Sequence, residues 1–140
     1  MKRILSAIAT LCIGAGLVLT TGGTASAATP ACTSYAGFDA GGTNTVWVPV
    51  APTFNTSCHL QRGYANSGVK QLQWSMNSCY GESLVADGIF GSATEAALKR
   101  VQTRIGVTSD GVYGPYTRDR MLHEGTWKGQ CFRFNGPGGY

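Results

Sequence analysis

The stretches DGIFGSAT (Asp87–Thr94) and DGVYGPYT (Asp110–Thr117) share one pattern, Asp-Gly-(Ile/Val)-aromatic-Gly-x-x-Thr, and the second copy follows closely on the first. Two copies of one turn in a short chain mark two copies of one structural unit. In each copy the Asp side chain can accept from the backbone ahead of it, and the following Gly takes a positive φ without steric cost. The aromatic residue, Phe90 or Tyr113, is placed to plug a core. The second glycine, Gly91 or Gly114, is expected to clear space for the bend into a helix. Thr94 and Thr117 then fall in a first helical turn, where a hydroxyl can serve backbone donors. The phrase reads as a device, used twice, that leads the chain into a helix.

Periodicity supplies the helices around it. SGVKQLQWSMNSC sets Val69, Leu72, Met76 and Cys79 at i, i+3, i+7 and i+10, one helical face, with Ser67 as the expected N-cap. After the first DG phrase, SATEAALKRVQTRIG opens with Ser92 and Glu95 in capping-box spacing. Leu98, Val101 and Ile105 follow at i, i+3, i+7, and Gly106 is a stop. PYTRDRMLHEG begins with Pro115 in a first turn, carries a short apolar face of Met121 and Leu122, and ends at Gly125. Three helices and an all-α fold are the expectation.

The flanks differ. Lys2 and Arg3 precede ILSAIATLCIGAGLVLT, a run without a charge, and Ala25 and Ala27 stand at small-residue positions before a cut. That is the layout of a secretory signal peptide over positions 1–27, and the apolar run is short for a membrane span. A cut after Ala27 removes Lys2 and Arg3, so the basic count falls from 11 to 9 against 7 acids. One small domain fits the length that remains. The mild positive balance shows no clustered basic face of the kind nucleic acid requires, while an anionic polymer would be tolerated. Residues 28–57 read as a loosely structured extended arm, in which only TVWVPV alternates like a strand, and Pro49 demotes it to an edge. Residues 58–125 form the helical domain, and residues 126–140 a C-terminal arm with a Gly/Pro tail expected to be mobile. Cys32, Cys58, Cys79 and Cys131 make an even count for an exported chain and read as two disulfides rather than a metal site. The sequence allows three pairings; Cys58–Cys79 with Cys32–Cys131 is favoured, tying helix start to helix end and arm to arm.

With these residues placed, the segment LQRGYANSGVKQLQWSMN…DGIFGSAT…DGVYGPYT, about residues 60–123, resembles the small peptidoglycan-binding module attached to many bacterial cell-wall hydrolases. Gly68-Val69-Lys70, Leu72-Gln73 and Met76-Asn77 carry the likeness. So do Asp87, Gly88, Phe90, Gly91 and Thr94, then Ala97, Leu98, Gln102 and Gly106, and finally Asp110, Gly111, Tyr113, Gly114 and Thr117. The resemblance implies a three-helix bundle that holds peptidoglycan without cutting it. The sequence departs from the pattern in its four cysteines, its arms at both ends, and Trp74, which lies off the Val69/Leu72/Met76 face.

A catalytic reading finds little to stand on. The carboxylates are Asp39, Glu82, Asp87, Glu95, Asp110, Asp119 and Glu124, and turn or cap duties already claim Asp87, Glu95 and Asp110. Cleavage of a sugar link needs two carboxyls across a cleft. Zinc chemistry wants three protein ligands, whereas the chain offers His59 and His123, far apart in sequence and in no ligand motif. No cofactor, metal or enzyme activity is therefore expected. A binding surface would draw on Trp74, Tyr80 and Tyr116 for stacking and on Gln71, Arg100 and Arg104 for polar contact. The chain reads as a secreted, cell-wall-associated, non-catalytic protein with peptidoglycan as partner. A second reading makes it an interaction module that binds, targets or inhibits a separately encoded secreted hydrolase.

Overall fold

In the computed structural model, which describes residues 28–134, the two DG phrases form a matched pair of turns. Asp87 Oδ1 accepts from Ile89 N at 2.8 Å, and Asp110 Oδ1 from Val112 N at 2.8 Å. Gly88 and Gly111 take φ of 82° and 77°. Each turn is also gripped from behind by a buried glutamine. Gln73 Nε2 reaches Asp87 Oδ1, Ile89 O and Thr94 Oγ1, each at 3.1 Å, while its Oε1 accepts from Gly88 N at 2.8 Å. Gln102 repeats the set: Asp110 Oδ1 at 2.8 Å, Val112 O at 2.9 Å, Thr117 Oγ1 at 3.2 Å, and Gly111 N at 2.8 Å. A buried amide with partners on both its atoms avoids the cost of burying a polar group. The threonines thus answer the glutamine amides and the turn carbonyls, not the helix donors expected of them. Gly91 and Gly114 are not needed for space either, since a Cβ on either would meet nothing within 4 Å.

Phe90 and Tyr113 plug the core as expected, and their backbones also pair with the segment ahead of the first helix. Leu60 and Tyr113 exchange N–H···O bonds of 2.8 and 2.9 Å, and Phe90 N donates to Tyr64 O at 2.8 Å.

The first helix, α1 (Ser67–Tyr80), is capped one residue earlier than predicted: Asn66 Oδ1, not Ser67, accepts from Val69 N at 3.0 Å. In α2 (Ser92–Ile105) the N-cap is Gly91, with no side-chain cap. The capping box does not form, because Ser92 is already helical and Lys99 Nζ holds the Glu95 carboxylate at 2.7 Å. Gly106 ends α2 in the left-handed region, as its position suggested. The third helix, α3 (Pro115–Arg120), is a turn and a half; the chain extends at Met121 and never reaches Gly125 as helix.

That early stop is half of the correction to the all-α three-helix expectation. Two antiparallel two-stranded sheets accompany the helices, and the fold is mixed α/β. β1 (Ser34–Asp39) pairs with β2 (Thr45–Val50), placing Gly37 opposite Trp47. Pro49 is tolerated because both strands of a two-stranded sheet are edges. β3 (Leu122–Glu124) pairs with β4 (Cys131–Arg133), and a bridge between Val46 and Gly125 joins the two ribbons. Val46, Val48 and Val50 are buried in a second small core with Ala36 and Ala40, against Phe38, Phe132 and Phe134. The region 28–57 is therefore a hairpin with its own apolar side, not a loose arm.

The cysteine pairing also differs from the favoured one. Cys32 joins Cys58 (Cα–Cα 5.1 Å) and Cys79 joins Cys131 (Cα–Cα 5.7 Å). Cys32 N donates to His59 O and His59 N to Pro30 O, both at 2.9 Å, which lays the first cysteine beside the second. The β3–β4 ribbon packs on α1, which brings Cys131 to the helix end at Cys79. The segment 1–27, predicted to be a signal peptide, and the tail from residue 135 onward lie outside the described residues. No helix among the described residues is long and apolar enough to cross a membrane.

Candidate functional site

One face of α1 does not enter the helical core. Gln71, Trp74, Asn77 and Ser78 recur at helical spacing along it and floor a groove of about 720 Å³. The opposite wall comes from the N-terminal hairpin, as Tyr35 of β1 and Trp47 of β2. Glu124, Thr126 and Lys128, at the end of β3 and just past it, close one side.

Strand alternation puts Trp47 there. With Val46, Val48 and Val50 turned into the small core, Trp47 must face the other way. Gly37, its cross-strand partner, makes room: a Cβ there would lie 2.7 Å from Thr45 Cγ2 and 3.1 Å from the Trp47 ring. Tyr35 stands edge-on to both tryptophans, with centroids 5.9 Å from Trp47 and 6.4 Å from Trp74 and interplanar angles of 75° and 79°. Such edge-to-face pairs hold ring orientations beyond what area burial alone would do. Lys70 Nζ lies 5.3 Å from the Trp74 ring centroid, a cation–π contact one turn earlier on α1.

Polar groups fix the frame. Gln71 Nε2 donates to Trp47 O at 3.4 Å, tying helix to hairpin. Asn77 donates to Leu84 O and accepts from Leu84 N, both at 2.8 Å, and so sets the loop that leads to Ala86 on the rim. Ser78 Oγ donates to Glu124 Oε1 at 2.7 Å, which leaves the second oxygen of that carboxylate as an acceptor. The groove therefore offers three partly exposed aromatic rings beside an amide, a hydroxyl, a carboxylate and the Lys128 ammonium. That combination suits a ligand with apolar ring faces and polar edges.

Of the six candidate residues, Gln71 and Trp74 meet in this groove. Tyr80 and Arg104 line a different cavity at the C-terminal end of α1. Arg100 is turned to Glu82 in a two-pronged ion pair, so its fork is occupied. Tyr116 stands 77% exposed on α3, with Arg120 5.8 Å from its ring centroid. Sequence reasoning missed Tyr35, Trp47, Ser78, Glu124 and Lys128. The TVWVPV alternation held the signal for Trp47, because a valine-lined core leaves the tryptophan on the outer face.

The titratable groups elsewhere have structural duties. His123 is fully buried, pushed down to about 4 by desolvation, and its Nε2 lies 3.0 Å from Arg118 O. His59 bridges Pro30 O at 3.0 Å and the Tyr64 hydroxyl at 2.8 Å. The N–H of Ile89 and then the Gln73 amide hold the Asp87 carboxyl below its usual range. Lys99 does the same for Glu95. No group of three or more potential metal ligands occurs among the described residues.

Residues 65–121, which span all three helices and both DG phrases, match the family described as "Putative peptidoglycan binding domain". The chain is 31% identical to the zinc D-Ala-D-Ala carboxypeptidase of Streptomyces albus G over 121 residues, covering 85% of this chain and 44% of that protein. It is 37% identical to a probable N-acetylmuramoyl-L-alanine amidase of Bacillus licheniformis over 87 residues, covering 57% of this chain and 24% of that one. The chain thus spans less than half the length of these relatives. A crystal structure of a peptidoglycan-binding protein from Clostridioides difficile matches with a TM-score of 0.48 at 26% identity, over 61% of this chain and 55% of that one.

Proposed function

We propose, from the membership of residues 65–121 in the peptidoglycan-binding domain family, that this chain holds peptidoglycan in the Tyr35–Trp47–Trp74 groove and does not cut it. The observation that carries this reading is the wall of three aromatic rings set beside hydrogen-bonding groups on one rigid face. The C–H faces of glycan rings stack on aromatic faces, and their hydroxyl and acetamido edges can bond with Gln71, Glu124 and Lys128. Rings held in place before binding lose little entropy when the ligand arrives.

The absence of bond chemistry is supported by how the reactive groups are used. Gly41 N holds Asp39 at 2.7 Å, and Arg118 holds Asp119 at 2.7 Å. Glu82 and Glu95 are paired with basic side chains, Asp87 and Asp110 serve the turns, and Glu124 accepts from Ser78. All four cysteines outside residues 1–27 are in disulfides. The relatives are named as hydrolases; this chain would share their hold on the wall rather than their chemistry. Export through the 1–27 segment and association with the cell wall belong to the same proposal.

Co-sedimentation with purified insoluble peptidoglycan tests it. The chain should leave the supernatant at low salt, and Trp74→Ala and Trp47→Ala should each weaken retention by about tenfold or more, as loss of a central aromatic anchor does. Full recovery in the supernatant, or retention unchanged in both variants, refutes the reading.

A further inference from the structure

We propose a second ligand site, for a phosphate group, in the cavity where the C-terminal ends of α1, α2 and α3 meet β4. The cavity holds about 390 Å³ and is lined by Tyr80, Arg104, Ile105, Arg120, Leu122 and Arg133. Three of those six residues are arginines, and none is acidic. Each of the chain's seven Asp and Glu side chains is engaged elsewhere, and none forms an ion pair with Arg104, Arg120 or Arg133 among the described residues. Three like charges around one concave space repel one another, and a bound anion would relieve that repulsion.

The donors point to the kind of anion. Arg104 Nη1 donates to Tyr80 O at 3.1 Å, and its guanidinium lies 5.7 Å from the Tyr80 ring centroid. Capping the α1 carbonyl accounts for one donor of that fork and leaves the others. Arg120 comes from the end of α3, where its guanidinium also lies 5.8 Å from the Tyr116 ring centroid, and Arg133 from β4, so the arginines of the lining are carried by three different elements. Tyr80 Oη accepts from Leu122 N at 2.6 Å, so its own proton is available to donate. Burial holds the phenol above its ordinary pKa against the pull of Leu122 N, Arg133 and Arg104, which keeps that proton on the oxygen at neutral pH. Planar forks from several directions suit the oxygens of a tetrahedral phosphate better than the two oxygens of a carboxylate. The Cys79–Cys131 disulfide lies next to Tyr80 and just ahead of Arg133, and sets the spacing of the two walls. This cavity shares no lining residue with the aromatic groove, so the two sites can fail independently.

The test is a titration of the full chain with inorganic phosphate at constant ionic strength, followed by the side-chain N–H signals of the arginines and the Leu122 amide. Saturable shifts in the millimolar range or below are expected. Arg133→Gln and Arg104→Gln should each weaken them at least about tenfold, which is about 1.4 kcal/mol. Arg133→Lys keeps the charge but removes the fork and should weaken binding too, while Trp74→Ala should leave it unchanged. A parallel titration with poly(glycerol phosphate) separates the sources: saturation there as well assigns the site to a polymer-linked phosphate, saturation by the free ion alone to phosphate itself. Shifts that never saturate, shifts unchanged in the arginine variants whose spectra remain folded, or acetate binding as tightly as phosphate would each overturn the proposal.

Discussion

Gln102→Glu is the most informative single change, because it alters one terminal group in a buried and satisfied site. Gln102 Nε2 donates toward two groups that can only accept, Asp110 Oδ1 and Val112 O, and toward the Thr117 hydroxyl, while Oε1 accepts from Gly111 N. A carboxylate keeps the bond from Gly111 but turns its second oxygen on a carbonyl and a carboxylate. Two lost hydrogen bonds at roughly 1 kcal/mol each, plus the penalty for acceptors left unpaired, give a loss of about 3–4 kcal/mol at neutral pH. On a domain of this size that lowers Tm by more than about 10 °C. The sign with pH follows from the geometry. The site disfavours the charged form, so the introduced carboxyl has a folded pKa above its unfolded value near about 4.3. Protonation supplies one O–H donor, and the deficit should shrink as pH falls through the folded pKa. Chemical denaturation of wild type, Gln102→Glu and Gln102→Ala between pH 7 and pH 4 is the assay. If Gln102→Glu loses less than about 1 kcal/mol at pH 7, against the cost expected for a broken buried network, or its deficit grows on acidification, the glutamine is not the strut of the second turn.

Burial, cross-linking and close packing elsewhere in the chain set three more expectations. His123, neutral when folded with a pKa of about 4 against roughly 6.5 unfolded, contributes stability that is fully present above about pH 6.5. On the order of 3 kcal/mol should be lost as pH falls from there to about 4, and His123→Gln should flatten that slope in thermal melts. Peptide mapping without reductant should recover Cys32–Cys58 and Cys79–Cys131; closing sequence separations of 26 and 52, they should be worth roughly 3.5 and 4 kcal/mol in denaturation of the paired alanine variants. Gly37→Ala should push on Thr45 and the Trp47 ring, cost about 1–2 kcal/mol, shift tryptophan emission and weaken peptidoglycan retention beyond what the stability loss accounts for.

Local chemistry was the legible part of the chain. The DG turns, the plugging of the core by Phe90 and Tyr113, the bodies of α1 and α2 and the Gly106 stop all depend on residues near one another in sequence, and all appear as expected. The larger misses depend on distant partners; the failed capping box is local in part, since Lys99 takes Glu95 from one turn on in the same helix. Helical periodicity could not show that Glu95 would be claimed by Lys99 and Arg62 rather than by its own N-terminus. Nor could it show that Leu122–Glu124 would leave a helical register to pair with Cys131–Arg133. The cysteine pairing is of the same kind: with three arrangements open, only the packing of the β3–β4 ribbon on α1 selects Cys131 for Cys79.

The groove shows why its site was half legible. Trp74 and Gln71 lie on α1, inside the segment that matches the family, and a helical wheel finds them on the face left out of the core. Tyr35 and Trp47 come from the hairpin before that segment, and Glu124 and Lys128 from the turn after it. The repeated module therefore supplies one side of the groove, and the flanking ribbons, tied down by the two disulfides, supply the other. A ligand held here meets a surface that neither part presents alone. Removing the hairpin should leave the two glutamine-braced turns in place and take away both aromatic partners of Trp74. On the proposed function, fold and grip are carried by different residues in this chain: substitutions at Gln73 or Gln102 should destabilise the fold, while substitutions at Trp47 or Tyr35 should chiefly loosen its hold.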